Sequence, residues 1–389
     1  MLPKEKVKKL IELMNSISSV KIPTLSPVFD LFNMTMDEHM VDYLTEVGTT
    51  PKTKEELKVI YNRLFNDDVN EWNKYWDHLM LTGFIHVESN ERRDLYSLTP
   101  IFPGWIEFYI TVPENEQRKA VVEKFMEFYD YMYSMNKFPM RQINDYKTIK
   151  YPSKGIAPRF KVYPSTGSVG KEIVLDTPLE SKQEILTVNS VYALLEKFKD
   201  ELAVGNCLCR LGKKYREGEG CDYDIPLQSC MMLGAIATNL VENGSARKLS
   251  YEEAVAMVEE FDAKGCVHST FHYKNSADLD EFAICNCCSD CCIYYGGYQK
   301  GSLSKIYTRS YYSPEIVDLS RCVGCNLCGK YCPTEATYYD KNQKELIFNY
   351  EKCVGCGQCV TQCHFDVRKM VPDERDVFVK TKKNGQKPF

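Results

Sequence analysis

Apolar residues recur at three- and four-residue spacing over residues 4–16, where Val7, Leu10, Ile11 and Met14 share one face, and this predicts an amphipathic helix. Residues 36–46 predict a second. Thr53 then precedes KEELKVIYNRLF with Glu56 three positions on, the pattern of a capping box whose side chains satisfy the free N–H groups of a first helical turn. After Asn66-Asp67 the stretch DVNEWNKYWDHLMLTGF predicts another helix, and HVESNERRDLYSLTPI alternates like a two-stranded wing. The order predicts a winged-helix-like domain over 36–103, preceded by an N-terminal helical extension over 1–35.

Beyond residue 103 the pattern loosens into a mixed connector over 104–185. It holds a predicted helix near Asn115 to Met135, a loop rich in Pro, Lys and Gly from Tyr151 to Pro158, and short strands in RFKVYPS and EIVLDT. No chemistry-bearing motif falls there. From Asn189, VYALLEKFKDELAVGNCLCR reads as a helix running into a strand, followed by helical stretches near Met231 to Val241 and Tyr251 to Phe261. These predict a mostly helical, Cys-rich metal-binding domain over 186–300 that closes with ICNCCSDCC. The last unit spans 301–389. The expected fold class is therefore α+β and multidomain, its final unit being set by the motifs below.

Composition narrows the chemistry. The 389 residues are 44% hydrophobic, enough for several separately packed units. No apolar run is long enough to cross a bilayer, and MLPKEKVKKLIELMNS is Lys-rich and amphipathic without a signal-peptide core, so a cytoplasmic location is expected. The net charge of −5 gives no general attraction for nucleic acid or anionic lipid. There are 18 cysteines and none precedes Cys207. In a reducing compartment, and with adjacent pairs such as Cys287-Cys288, metal binding accounts for them better than disulfides.

Residues 322–333 read CVGCNLCGKYCP and residues 353–364 read CVGCGQCVTQCH, two copies of CxxCxxCxxxC. Three cysteines at that spacing wrap around one cubane, and the fourth ligand comes from elsewhere. Gly324 and Gly355 stand where backbone must approach a cluster closely, and Pro333 turns the chain away. The flanking segments EIVDLS, ATYYD and ELIFNY alternate like short strands. A pair of zinc sites is the competing reading, but zinc modules rarely carry two complete runs of this kind.

Residues 315–371 thus resemble the dicluster [4Fe-4S] ferredoxin family. The resemblance implies a ferredoxin-like domain with two [4Fe-4S] clusters and crossed ligation: Cys322, Cys325, Cys328 and Cys363 for one cluster, Cys353, Cys356, Cys359 and Cys332 for the other. His364 stands where that family usually has a second proline, and is read as a surface residue or as a residue that tunes the first cluster.

A second group of thiols lies upstream. CLCRLGKK, GCDYDIPLQSC and ICNCCSDCC resemble a family of longer ferredoxin-like proteins from anaerobes, which combine a winged-helix-like domain, a Cys-rich middle domain and a dicluster tail. On that basis Cys207, Cys209, Cys221, Cys230, Cys285, Cys287, Cys288, Cys291 and Cys292 are candidate ligands of at least one additional iron–sulfur centre, with zinc the less favoured ion. Adjacent cysteines do not readily serve one cubane, so CNCCSDCC is expected to split its thiolates between two destinations. Cys266 is expected to be a buried free thiol apart from the others. Arg210, Lys213 and Lys214 either offset thiolate charge or form a solvated basic loop. His268 and His272, four apart, could share a helix face near these thiols, but no acidic motif accompanies them and a core or surface place is expected for both.

The leading functional expectation is electron transfer, as a carrier or a wiring subunit of an anaerobic redox complex, with redox proteins as partners. A reductase with a catalytic middle centre is the alternative, although the chain has no GxGxxG, no GxxxxGK[ST] and no flavin motif. A redox-sensing winged-helix regulator is the third. Against it, residues 51–100 hold seven Lys/Arg and nine Asp/Glu, a surface that repels phosphate, so no nucleic-acid partner is expected. Trp72 and Trp76 belong either to that domain's core or to a protein contact. The tail from Val367 to Phe389 carries seven Lys/Arg and three Asp/Glu and would suit an acidic partner.

Overall fold

The computed structural model describes residues 1–18, 22–65, 69–88, 92–111, 114–136, 160–169, 191–271, 282–299 and 307–373. The N-terminal part is built from helices Lys4–Ile17, Ser26–Thr35, Glu38–Val47, Lys54–Phe65 and Val69–Leu81. Three short strands accompany them: β1 (Lys52–Thr53), β2 (Ile85–Val87) and β3 (Leu95–Leu98), antiparallel in the order β1-β3-β2. The capping box forms, with the Thr53 N–H donating to Glu56 Oε2 at 2.8 Å and the Glu56 N–H to Thr53 Oγ1 at 3.2 Å. Val7, Leu10, Ile11 and Met14 are all buried, as their spacing predicts. Trp72 and Trp76 are core residues rather than surface contacts. Helix Ser26–Thr35, with Pro27 in its first turn, stands in addition to the expected helices.

The middle of the chain combines the expected helices with a sheet that runs through it. Seven strands run in the order β10-β4-β8-β9-β6-β5-β7: β4 (Phe160–Val162), β5 (Leu202–Asn206), β6 (Gln228–Leu233), β7 (Arg247–Leu249), β8 (Val267–Phe271), β9 (Ala283–Cys287) and β10 (Tyr307–Thr308). All neighbours are antiparallel except β10 and β4. These strands are covered on both faces, so LAVGN, QSCMML and AICNC lack the polar alternation that marks a half-exposed strand. The helix expected from Met231 accordingly starts only at Gly234.

Side chains on this sheet segregate by the two-residue period of a strand. Leu202, Val204, Met231, Leu233 and Ile284 face one way and pack against helices Val191–Lys197 and Tyr251–Ala263. Ala203, Met232, Ala283, Cys285 and Cys287 face the other way, into a core continuous with the N-terminal helices. The expected strand in EIVLDT, the loop from Tyr151 to Pro158 and most of the basic tail lie outside the described residues.

The C-terminal part pairs β11 (Tyr312–Ile316) with β14 (Arg368–Pro372) and contains the hairpin β12 (Thr337–Asp340) and β13 (Glu345–Phe348). Gln358, fully buried, ties it to the middle part by donating to Asp262 Oδ1 at 2.9 Å and to the Cys266 carbonyl at 2.6 Å. The Ser165 N–H donates to the Cys356 carbonyl at 2.8 Å.

One buried carboxyl joins the N-terminal and middle parts. Glu107 accepts from the Gly104 N–H at 2.7 Å and from the Tyr294 hydroxyl at 2.8 Å. Burial outweighs these bonds and pushes its pKa up from 4.5 to about 7. Folded Glu107 therefore keeps its proton to higher pH than the unfolded chain does, and stability falls as pH rises from about 4.5 to about 7. A Glu107→Gln chain is expected to lose that slope and to gain on the order of 3 kcal/mol at pH 8. Denaturant titrations at pH 5 and pH 8 check this, and equal slopes in the two proteins would exclude it.

Candidate metal centres

All 18 cysteines are free thiols, and their burial differs by group. In the C-terminal part Cys322, Cys325, Cys328 and Cys363 line one cavity together with Cys359, Tyr339, Phe365 and Arg368. Cys325 is exposed and the other three are half-buried. Cys332, Cys353, Cys356 and Cys359 form a second group of close neighbours and are all buried. Cys332 comes from the first repeat yet packs in one small core with Cys353 of the second.

The two repeats share their backbone course. Gly324 and Gly355 have φ of 71° and 73°, and Asn326 and Gly357 have 61° and 79°, all in the left-handed region. At Gly324 a Cβ would also meet the Tyr339 ring at 2.7 Å, so the turn demands glycine twice over. Such turns aim amide groups at sulfur. The Ala336 N–H donates to Cys332 Sγ at 3.1 Å and the Gly355 N–H to Cys353 Sγ at 3.4 Å. Burial pushes the Cys359 thiol up to about 12.

Arg368 carried no signal in the sequence beyond its place five residues after Cys363. It is 5% exposed, donates from Nη2 to Thr337 Oγ1 at 2.8 Å, and leaves Nε and Nη1 without a protein partner. A buried guanidinium with idle donors needs an acceptor, and the cavity it lines is that of the first four thiols. His364 is exposed.

In the middle part the sheet explains how distant thiols meet. Cys285 and Cys287 lie two apart on β9, and Cys230 on β6 sits opposite Cys285 in register. Helix Leu208–Glu217 begins directly after Cys207 and brings Cys209, while helix Ile293–Gln299 begins directly after Cys292. Cys207, Cys209, Cys230, Cys285, Cys287 and Cys292 thus line one cavity, which Cys288 and Cys291 also border. Their crowding shows in their acidity. The neighbouring Cys209 and then burial push Cys207 well above the usual thiol range, and Cys230 heads the causes that do the same for Cys285.

The remaining thiols gather next door. Cys221, Cys288 and Cys291, with the Asp290 carboxylate, have their ligand atoms within 4.8 Å of one another. Of the adjacent pairs Cys287-Cys288 and Cys291-Cys292, all four thiols border the cavity, and Cys288 and Cys291 also belong to this group, which adjoins it. Asp290 was legible only as a carboxylate inside CNCCSDCC. Arg210 and Lys213 are buried, whereas Lys214 is exposed.

Two expectations change. Cys266 is buried but not remote, since Arg210 Nη2 lies 3.7 Å from its sulfur. Contact across β8 and β9 brings it there, which no local spacing reveals. His268 sits on strand β8 rather than on a helix, so a four-residue spacing no longer places it beside His272, which lies outside the described residues. His268 is instead a buried structural residue, its Nδ1 2.7 Å from Asn286 Oδ1.

Residues 321–367 match the family of the 4Fe-4S dicluster domain. The C-terminal part is a 4Fe-4S dicluster domain. It stands in a larger Cys-rich protein, and a dicluster domain implies two [4Fe-4S] clusters. The thiols gathered around two sites are the donor set such clusters take, and the idle N–H groups of Arg368 suit an electron-rich occupant. No curated protein and no solved structure matches this chain. Among the described residues, no helix is long and apolar enough to cross a membrane.

Proposed function

We propose that this chain is a cytoplasmic electron-transfer protein, a carrier or a wiring subunit of an anaerobic redox complex. In this reading Cys322, Cys325, Cys328 and Cys363 hold one [4Fe-4S] cluster, and Cys353, Cys356, Cys359 and Cys332 hold the other. Cys207, Cys209, Cys230, Cys285, Cys287 and Cys292 supply the ligands of a further iron–sulfur centre. A bound cluster supplies a one-electron carrier whose potential is set by burial and by the N–H groups near its sulfurs.

The observation that carries this reading is Tyr295. Its side chain is fully buried, near enough to Cys287, Cys292 and Cys356 for all three to bear on its hydroxyl. Cys356 of the buried dicluster group thus shares one continuous core with the middle thiols. The exposed group lies at the outer end of the series. Around it Val317, Leu319, Val323 and Phe365 are exposed apolar residues, suited to contact with a redox partner protein. Arg368 lies between the two cysteine groups, where its charge favours the reduced, more negative state of either cluster.

The N-terminal part, with its winged-helix-like layout, serves in this reading as a protein-docking element. Helix Val69–Leu81 carries Glu71 and Asp77 against Lys74, and Lys74 is already engaged with Glu71 at 3.2 Å. Such a helix offers little to a phosphate backbone.

Anaerobic purification of the full-length chain tests the proposal. Clearly more than about eight irons and eight sulfides per chain are expected, with one-electron reduction visible by electron paramagnetic resonance. A protein with zinc throughout and no acid-labile sulfide would overturn it.

A further inference from the structure

We infer that Cys221, Cys288, Cys291 and Asp290 form a mononuclear metal site for a single tetrahedral divalent ion, zinc by its donor set, separate from every iron–sulfur centre. The site goes beyond electron transfer and does not depend on it.

Distance is the first argument. Cys221 Sγ lies 3.5 Å from Cys288 Sγ, Cys291 Sγ lies 3.1 Å from Asp290 Oδ2, and all four ligand atoms fall within 4.8 Å of each other. Zinc–sulfur bonds of about 2.3 Å in a tetrahedron place neighbouring sulfurs about 3.8 Å apart. A cubane instead binds each thiolate on a different iron, so its ligand sulfurs stand farther apart by a metal–metal edge. Four donors this close enclose one ion.

The local backbone is the second. Cys288-Ser289-Asp290-Cys291 turns directly out of β9, and the Cys291 N–H points back at Cys288 Sγ at 3.4 Å. The turn presents two thiols to the same point, at the border of the cavity that Cys287 and Cys292 also line. Cys221 closes the set from the loop between helix Leu208–Glu217 and β6.

Charge is the third argument, and the one that selects a divalent ion. Three thiolates and a carboxylate around M²⁺ leave two excess negative charges. Two buried cations face the group. Arg210, 3% exposed, places Nη2 3.6 Å from Cys288 Sγ, and Lys213, 8% exposed, places Nζ 2.8 and 2.9 Å from the two oxygens of Asp290. Asp222 contributes a third contact, its N–H donating to Asp290 Oδ2 at 2.9 Å and its side chain lying 2.9 Å from Lys213 Nζ. Outer groups of this kind orient the ligands of a metal and balance its shell. With no vacancy for water among four protein donors, the site is structural and pins the Cys221 loop to the end of β9.

The test uses full-length protein purified anaerobically. About one zinc per chain is expected beside the iron, and X-ray absorption at the zinc edge should show about three sulfurs and one lighter ligand. Cys221→Ser combined with Asp290→Asn should lose that zinc while iron and acid-labile sulfide stay at the wild-type count. Cobalt(II) added to zinc-depleted protein should give the intense visible bands of a tetrahedral thiolate site. Absence of a bound ion, a zinc edge with four sulfurs or with none, or loss of sulfide together with zinc in the double variant would each overturn the inference. The edge measurement needs no variant, so it decides the matter even if the substituted chain fails to fold.

Discussion

A Cys332→Ala chain is expected to hold about four fewer irons and four fewer sulfides, all of them missing from the buried cysteine group. Cys332 belongs by sequence to the first repeat, yet its side chain is packed with Cys353 and Ala336, and the Ala336 N–H donates to its sulfur at 3.1 Å. The group around exposed Cys325 keeps all four of its thiols in this variant. Its signal should persist in the reduced protein, while the magnetic coupling between two neighbouring clusters disappears. Cys363→Ala should give the opposite result, removing the exposed cluster and sparing the buried one. Loss of the exposed cluster in Cys332→Ala would refute the crossed ligation.

Replacing Cys285 and Cys287 together by serine should remove the iron in excess of about eight per chain and leave the dicluster signals intact. Both residues lie on one face of β9, and Cys285 sits opposite Cys230 on β6, so the double change takes two of eight thiols from the same cavity. Serine keeps the size and the strand geometry, and the dicluster domain has eight cysteines of its own. Cys266→Ser is the matched control, because that residue is buried beside Arg210 but does not line the cavity. Iron and sulfide analysis decides the outcome. Unchanged iron in the Cys285/Cys287 variant would show that the six thiols hold no cluster.

Much of the local architecture was legible in the chain itself. The capping box at Thr53 and Glu56, the amphipathic face of Lys4–Ile17 and the positive-φ glycines of CVGC all depend on neighbours within a few residues, and such interactions are written in short spacings. The eight cysteines of the repeats were equally plain, since three of every four share a single turn of chain. The middle domain was harder. Its helices were legible, but its strands are covered on both faces, which erases the alternation that would have marked β6, β8 and β9.

The sequence alone determined which residue types were available: 18 thiols in the second half, two ferredoxin-type runs and a balance of charge hostile to nucleic acid. Only the tertiary structure decided where each thiol went. Cys230 meets Cys285 through strand register across 55 residues, and Cys221 meets Cys288 across 67. Whether Arg210, Lys213 and Arg368 were solvated or buried was likewise settled by packing, since a cation's surroundings come from elements far away along the chain. Ligand spacing within a turn is a local property. Compartments are long-range ones, set by sheet order and by the face on which each side chain falls.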